Sequence, residues 1–318
     1  MTTFKKWVYF FLFNLISNAL RFMQCHKTNW AVLVSTSRFY TNYRHTANVL
    51  AVYQGIRRLG IPNSHIILML ADGVACDPRN PSPGVIYSCS PGQNAYLDDI
   101  EIDYKGLEVT EESFRRVLTG RHSSFTPQSK RLLSDSNSNV LIYLTGHSGE
   151  AFVKFHDFEE LTSTLLAHTI EHMYQMRRYK NLLFIADTCQ AETILSDIYS
   201  PNVIAIGSSR RGENSYSHGI NLTFGSFTID RFTYYLGLFL KKLNPTDFNT
   251  SLHDFLVTLS PDKLDSNYST YVTSPASTNF TTIPMTDFFG MTGVLKLFFL
   301  TLTEPPDPRF PLAKLYDA

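Results

Sequence analysis

The sequence predicts an α/β protein built on a doubly wound, mostly parallel six-stranded sheet with helices on both faces. Three observations predict it. Short apolar runs of strand length recur along the chain, and stretches with helical period separate them. Two of the runs also end in side chains capable of chemistry. Residues 140–144 lead into Thr145-Gly146-His147-Ser148-Gly149, and residues 182–185 lead into Ala186-Asp187-Thr188-Cys189-Gln190. Apolar runs of four or five residues, bounded by turn residues, read as strands buried on both faces. Strands that alternate with helices give a parallel sheet.

Taken in order, residues 30–34 form the first strand, and the turn at 35–43 leads into a helix from about 45 to 59. Gly60-Ile61-Pro62 ends that helix, as a glycine cap followed by proline does. Residues 66–70 are the second strand. The Pro-, Gly- and Asn-rich stretch 77–94 is a loop. A short helix follows at 109–118, with Thr110 as its cap and Glu111 and Glu112 in its first turn. The strands at 140–144 and 182–185 are joined by a helix over 158–180. Residues 203–206 are a fifth strand, 227–241 and 251–259 are helices, and 294–300 is a candidate sixth strand. The sheet domain is expected over 28–260, with an irregular extension over 261–318.

A right-handed crossover sets the strands at 140–144 and 182–185 side by side or one apart. His147 and Cys189 then meet on the carboxyl rim of the sheet, where open α/β folds place their sites. A thiol beside an imidazole is the pairing that nucleophilic catalysis needs. His147 would move protons, and backbone N–H groups of Ser148 or Gly149, with that of Cys189, would hold an oxyanion. Asn42, at the end of the first strand's loop, is placed to orient His147. Ser208 and Ser209, just past the fifth strand, are candidate lining residues of a substrate pocket. Gly146-His147-Ser148-Gly149 does not make a serine nucleophile elbow, because Glu150 stands where glycine is required. His168, Glu171 and His172 match a zinc spacing, but short motifs match by accident and the stretch reads as the polar outer face of the crossover helix. Asp99, Glu101 and Asp103 alternate, so on an extended segment they share one face, either as a solvated edge or as oxygen donors for calcium.

The chain has 318 residues and zero formal net charge, with no basic stripe, which argues against nucleic-acid binding. Lys5 and Lys6 precede an apolar run ending near Ser17-Asn18-Ala19, the pattern of a secretory signal over residues 1–19. Asn221, Asn249, Asn267 and Asn279 each open an N-glycosylation triplet. Of four cysteines, three remain once Cys189 is set aside. An odd number in an oxidising compartment points to a free thiol or an intermolecular bridge. A Cys76–Cys89 bridge is the competing reading.

The same residues carry a family resemblance. The stretch from Asn29 to His45, then Arg58-Leu59-Gly60-Ile61-Pro62, Leu68-Met69-Leu70-Ala71-Asp72 and Cys76-Asp77-Pro78-Arg79-Asn80-Pro81 resemble the GPI-anchor transamidase catalytic subunits. Lys130 to Asp135, Leu144-Thr145-Gly146-His147, Asp187-Thr188-Cys189-Gln190 and Asp287-Phe288-Phe289-Gly290 continue it, over about residues 28–292. That family is similar to the legumains and caspases. The resemblance implies a caspase/legumain-like sheet, Cys189 as nucleophile, His147 as acid/base and Asn42 as third catalytic residue. It implies a disulfide from Cys76 to a lumenal partner subunit. It also implies calcium at Glu101 and Asp103, with Asn63 where relatives carry Asp. Catalysis itself needs no cofactor. The implied activity is a thiol transamidation in the endoplasmic reticulum lumen: a proprotein's C-terminal signal is removed through a Cys thioester, and the new C-terminus passes to the ethanolamine amine of a GPI lipid. Partners would be the other subunits, proprotein signals and the GPI lipid. The chain resembles a short form lacking a C-terminal membrane helix, held at the membrane through the complex. An asparaginyl endopeptidase, with water as acceptor, is the alternative. Ser148 stands where relatives often carry Gly, and its N–H keeps the oxyanion role provided its φ is negative.

Overall fold

The computed structural model describes residues 29–89, 92–273 and 280–290. The predicted signal, Cys25, Asn279 and the candidate strand at 294–300 lie outside the described residues.

Among the described residues the main sheet has seven strands rather than six. They are β1 (Asn29–Ser35), β2 (Ile66–Leu70), β3 (Tyr104–Lys105), β4 (Asn139–Thr145), β8 (Asn181–Asp187), β9 (Val203–Gly207) and β12 (Ser269–Val272), in the order β12-β9-β8-β4-β1-β2-β3. All pairings are parallel except that of β12 on β9. Two-residue β3 carries too little pattern to be read from sequence. β12 lies beyond the expected domain boundary at 260, so the sheet extends into the segment predicted to be irregular.

Side chains alternate across the strands and divide the core in two. Leu33, Leu68, Leu141, Leu183 and Ile206 face α1 (Tyr43–Arg58) and α5 (Arg231–Lys242). Val32, Ile67, Ile142, Phe184 and Ala205 face α2 (Glu111–Thr119) and α3 (Ser163–Gln175). Each large apolar side chain so buried contributes roughly 1.5–3 kcal/mol. The helices cross closely: a Cβ at Gly55 of α1 would stand 2.7 Å from Leu240 of α5. Thr110 caps α2 by accepting the Ser113 N–H, and Gly120 ends it at φ 71°.

The helix predicted over 158–180 begins late. After β4 the chain forms a small antiparallel sheet of β5 (Ser148–Gly149), β6 (Phe152–Phe155) and β7 (Glu159–Thr162), and only then α3. A second hairpin, β10 (Ile220–Asn221) with β11 (Ser226–Phe227), precedes α5. The short helices α4 (Ala191–Leu195), α6 (Leu252–Leu256), α7 (Pro261–Leu264) and α8 (Thr286–Phe289) complete the described chain. At the amino ends of the strands, buried Asn29 donates to the carbonyls of Thr286 and Gly290, and Asn139 to that of Asp287. These bonds fasten the α8 segment under the sheet.

Candidate active site

The strand order reverses at β1, which has β2 on one side and β4 on the other, so the crevice at the carboxyl ends opens there. In register, Ser35 pairs with Thr145, and Thr145 with Asp187. His147 and Cys189 each follow two residues after that paired level, on neighbouring strands. Asn42 enters from the turn after β1. Its Nδ2 donates to the Arg38 carbonyl at 2.6 Å, which turns Oδ1 to His147 Nε2 at 2.8 Å. An amide oxygen only accepts, so Nε2 carries the proton and Nδ1 keeps the lone pair.

The nucleophile turn is held from three sides. Ser208 Oγ accepts the Thr188 N–H at 3.1 Å. Ser209 Oγ donates to the Thr188 carbonyl at 2.8 Å and accepts the Ala191 N–H at 3.0 Å. Gln190, at φ 49°, is left-handed, which costs a residue with a side chain roughly 1–2 kcal/mol. Its N–H donates to the Glu213 carbonyl, and its side chain accepts the Gly212 N–H. The two loops are also tied together. Ser148 Oγ donates to the Cys189 carbonyl, and Thr188 Oγ1 lies 2.7 Å from the Gly146 carbonyl and 2.6 Å from Ser148 Oγ.

No local pattern in the sequence pointed to the polar network beneath the thiol. Buried Asp230 pairs with Arg44 Nε at 3.2 Å and accepts from Asn48 Nδ2 at 2.6 Å and Ser217 Oγ at 3.1 Å. Buried Asp187 accepts from Ser215 Oγ at 2.8 Å and from the hydroxyls of Thr233 and Tyr143. Burial, then the Asp187 charge, push the Asp230 carboxyl up to about 7. Burial raises the Cys189 thiol above its ordinary value, while the Ser215 N–H on the sulfur pulls the other way. Burial, then Arg44, hold His147 below the ordinary imidazole value. His45, fully buried and edge-on to His147 at 5.0 Å, is held well below it too. Thiol and imidazole are therefore both neutral at rest near pH 7. The sulfur proton can pass to His147 Nδ1 as the bond to carbon forms.

Three expectations are corrected by the geometry. Ser208 and Ser209 are buried, at 1% and 0% exposure, and their hydroxyls serve the nucleophile turn rather than lining a pocket. Gly149 is not an available oxyanion donor. The Lys154 N–H donates to the His147 carbonyl, so in the alternating antiparallel ladder Gly149 falls in the next hydrogen-bonded pair, with Phe152. Ser148 lies between, off the ladder and at negative φ, so the strand pairing does not engage its N–H. Among the glycosylation triplets, Asn267 is half-buried and its Nδ2 donates to Glu213 at 2.7 Å, whereas Asn249 is exposed.

Away from the rim, Cys76 is a free, exposed thiol and Cys89 is free and half-buried, so no bridge joins them. Asn63, Glu101 and Asp103 fall at one corner. Asn63 Nδ2 donates to the Asp99 carbonyl, its Oδ1 accepts the Tyr53 hydroxyl at 2.6 Å, and Glu101 acts on both Tyr53 and Asp103. This all-oxygen set suits calcium in kind. Asp103 Oδ2 already accepts the Leu68 N–H.

A thiol and an imidazole on adjacent strand ends, the imidazole oriented by an amide, define a cysteine-nucleophile enzyme on a doubly wound sheet. The Peptidase C13 family matches residues 29–250. A GPI-anchor transamidase of Bos taurus is 48% identical over 287 residues, covering 90% of this chain and 72% of that one. The GPI-anchor transamidase of Homo sapiens is 49% identical over 270 residues, 85% of this chain and 68% of that one. That of Schizosaccharomyces pombe is 48% identical over 268 residues, 83% and 70%. A crystal structure of caspase-1 from Spodoptera frugiperda is similar at TM-score 0.45 and 11% identity, over 85% of this chain and 92% of that one. The chain belongs to the peptidase C13 family and, within it, to the GPI-anchor transamidases.

Proposed function

We propose that this chain transfers the C-terminus of a proprotein to the amine of a GPI lipid through a thioester on Cys189. The observation that carries the chemistry is the His147–Cys189 pair on matched strand ends, with Asn42 on His147 Nε2. Cys189 sulfur attacks the carbonyl of the attachment residue, and its proton passes to His147 Nδ1. The N–H groups of Ser148 and Cys189 hold the oxyanion, each such donor supplying about 3 kcal/mol of transition-state stabilisation. The C–N bond breaks, and the same proton leaves on the amine of the departing signal peptide. The acceptor amine then attacks the thioester, gives its proton to His147 and releases the sulfur. The thioester keeps the energy of the broken amide, so the second step needs no nucleotide. Incubation with substrate peptide and hydrazine tests the reading: hydrazide product supports transfer, whereas acid alone makes the enzyme an endopeptidase.

The signal-like residues 1–19 support entry into the endoplasmic reticulum, and exposed Asn249 supports glycosylation there. Exposed Cys76 supports a disulfide to a partner subunit. Cys76→Ser should remove a high-mass species on non-reducing gels while leaving this chain's own melting unchanged. Calcium at Glu101 and Asp103 would brace the segment leading into β3. Chelator should then lower the melting temperature of the native chain but not that of a Glu101→Ala/Asp103→Ala variant.

A further inference from the structure

The motif around His168 and His172 takes no metal role. Glu171 is turned away on α3, accepting from Ser200 Oγ at 2.8 Å and from Gln175 Nε2 at 3.0 Å. The two histidines instead line a 190 Å³ hollow between α2 and α3 with Glu112, Arg115, Arg116 and Arg121. Beside it lies a second hollow of 280 Å³, walled by Glu108, Ser113, Arg116, Arg121, His122, Thr126 and Lys130. Arg116 and Arg121 belong to both walls.

Cations outnumber carboxylates here, in a chain of zero formal net charge. Glu108 answers Lys130, and Glu111 and Glu112 answer Arg115 and Arg116. Arg121, Arg131 and Arg178 remain. The last two donate only to backbone carbonyls of the loop that follows α2 and of α2 itself, so their charge is not neutralised. Burial, then the charges of Arg131, Arg178 and Arg116, hold the His122 imidazole below its ordinary value, and its buried Nε2 has no partner among the described residues. A metal cation would be repelled by these guanidiniums. An anion would meet forked donors, the His122 ring and the Ser113 and Thr126 hydroxyls, the donor set that holds phosphoryl oxygens.

We propose that this double hollow binds a phosphoryl group between its two halves, held by Arg121 and by the terminal guanidinium nitrogens of Arg116 that its Nε bond to Glu112 leaves over. The site lies on the α2–α3 face and owes nothing to the chemistry at Cys189. Two sources share this chemistry, a soluble phosphate ester and a lipid headgroup, and the test separates them. The full chain is titrated with inorganic phosphate at fixed ionic strength, and floated with vesicles of phosphatidylcholine with or without phosphatidylinositol. The comparison is an Arg116→Gln/Arg121→Gln variant; Arg116 is largely exposed, and unchanged melting without phosphate verifies that the variant folds. Saturable phosphate binding, weakened about tenfold or more in the variant, is expected from two lost charge-assisted contacts. Turnover at Cys189 without phosphate should not change. Variant-sensitive flotation only with phosphatidylinositol assigns a lipid headgroup; phosphate binding without flotation assigns a soluble ester. Absence of saturation, equal affinity in the variant, or full replacement by chloride at equal ionic strength overturns the site.

Discussion

At the amino ends of β1, β4 and β8 stand the neutral amides of buried Asn29 and Asn139 and half-buried Asn181, all of them hydrogen-bonded. Around the carboxyl ends of the same strands gather buried Asp187, Asp230 and His45 with half-buried His147 and Cys189, crowded so that burial and neighbouring charge shift several from their ordinary protonation. One sheet thus carries a satisfied end and a strained end. The difference teaches where stability and chemistry are divided. Neutral amides cost nothing once paired, whereas buried carboxylates keep a desolvation cost that only function or a partner offsets.

The largest effect expected from this division is at the satisfied end. Asn139→Ala removes the bond to the Asp287 carbonyl and strands Asn181 Nδ2, and should cost about 2–3 kcal/mol in denaturant unfolding. Activity per folded molecule should not change; a parallel loss would break the comparison.

Asp230→Asn should do the reverse. A carboxyl raised to about 7 in the folded state contributes stability that is full below its unfolded value near 3.8 and is lost as pH rises through about 7. The native chain should therefore lose melting temperature over that window, and the Asp230→Asn variant much less. Turnover of the variant should fall, because Arg44 beside the thiol loses its counter-charge.

A subtler consequence concerns the resting dyad. With the thiol raised and the imidazole lowered, alkylation of Cys189 should climb only above the ordinary thiol range. A plateau at acid pH, as a thiolate–imidazolium pair gives, would show that the rim is not arranged as described. The smallest change is expected from Ser148→Gly. It loses the bond to the Cys189 carbonyl but keeps the backbone N–H, so the turnover number should fall by about tenfold or less, with KM held.

His147 and Cys189 were legible in the sequence because each closes a continuous apolar strand, and parallel pairing fixes their level. Asn42 was legible through its place after β1. The network around Asp230 was not, because it joins Asn48 in α1 to a residue 182 positions later through side chains without local pattern. Ser208 and Ser209 were placed correctly along the chain but assigned the wrong partner; the sequence shows where a strand ends, not which way its next hydroxyls turn. The β5–β7 meander was missed because its strands have two to four residues, too few to show a period.

The account rests on an acyl group carried by Cys189. Intact-mass and peptide mapping of the enzyme quenched during turnover of a substrate peptide measure this directly. An acyl adduct on the Cys189 peptide, absent from Cys189→Ala together with all product, is the predicted result. Product formation by Cys189→Ala, or an adduct on any other residue, would contradict it.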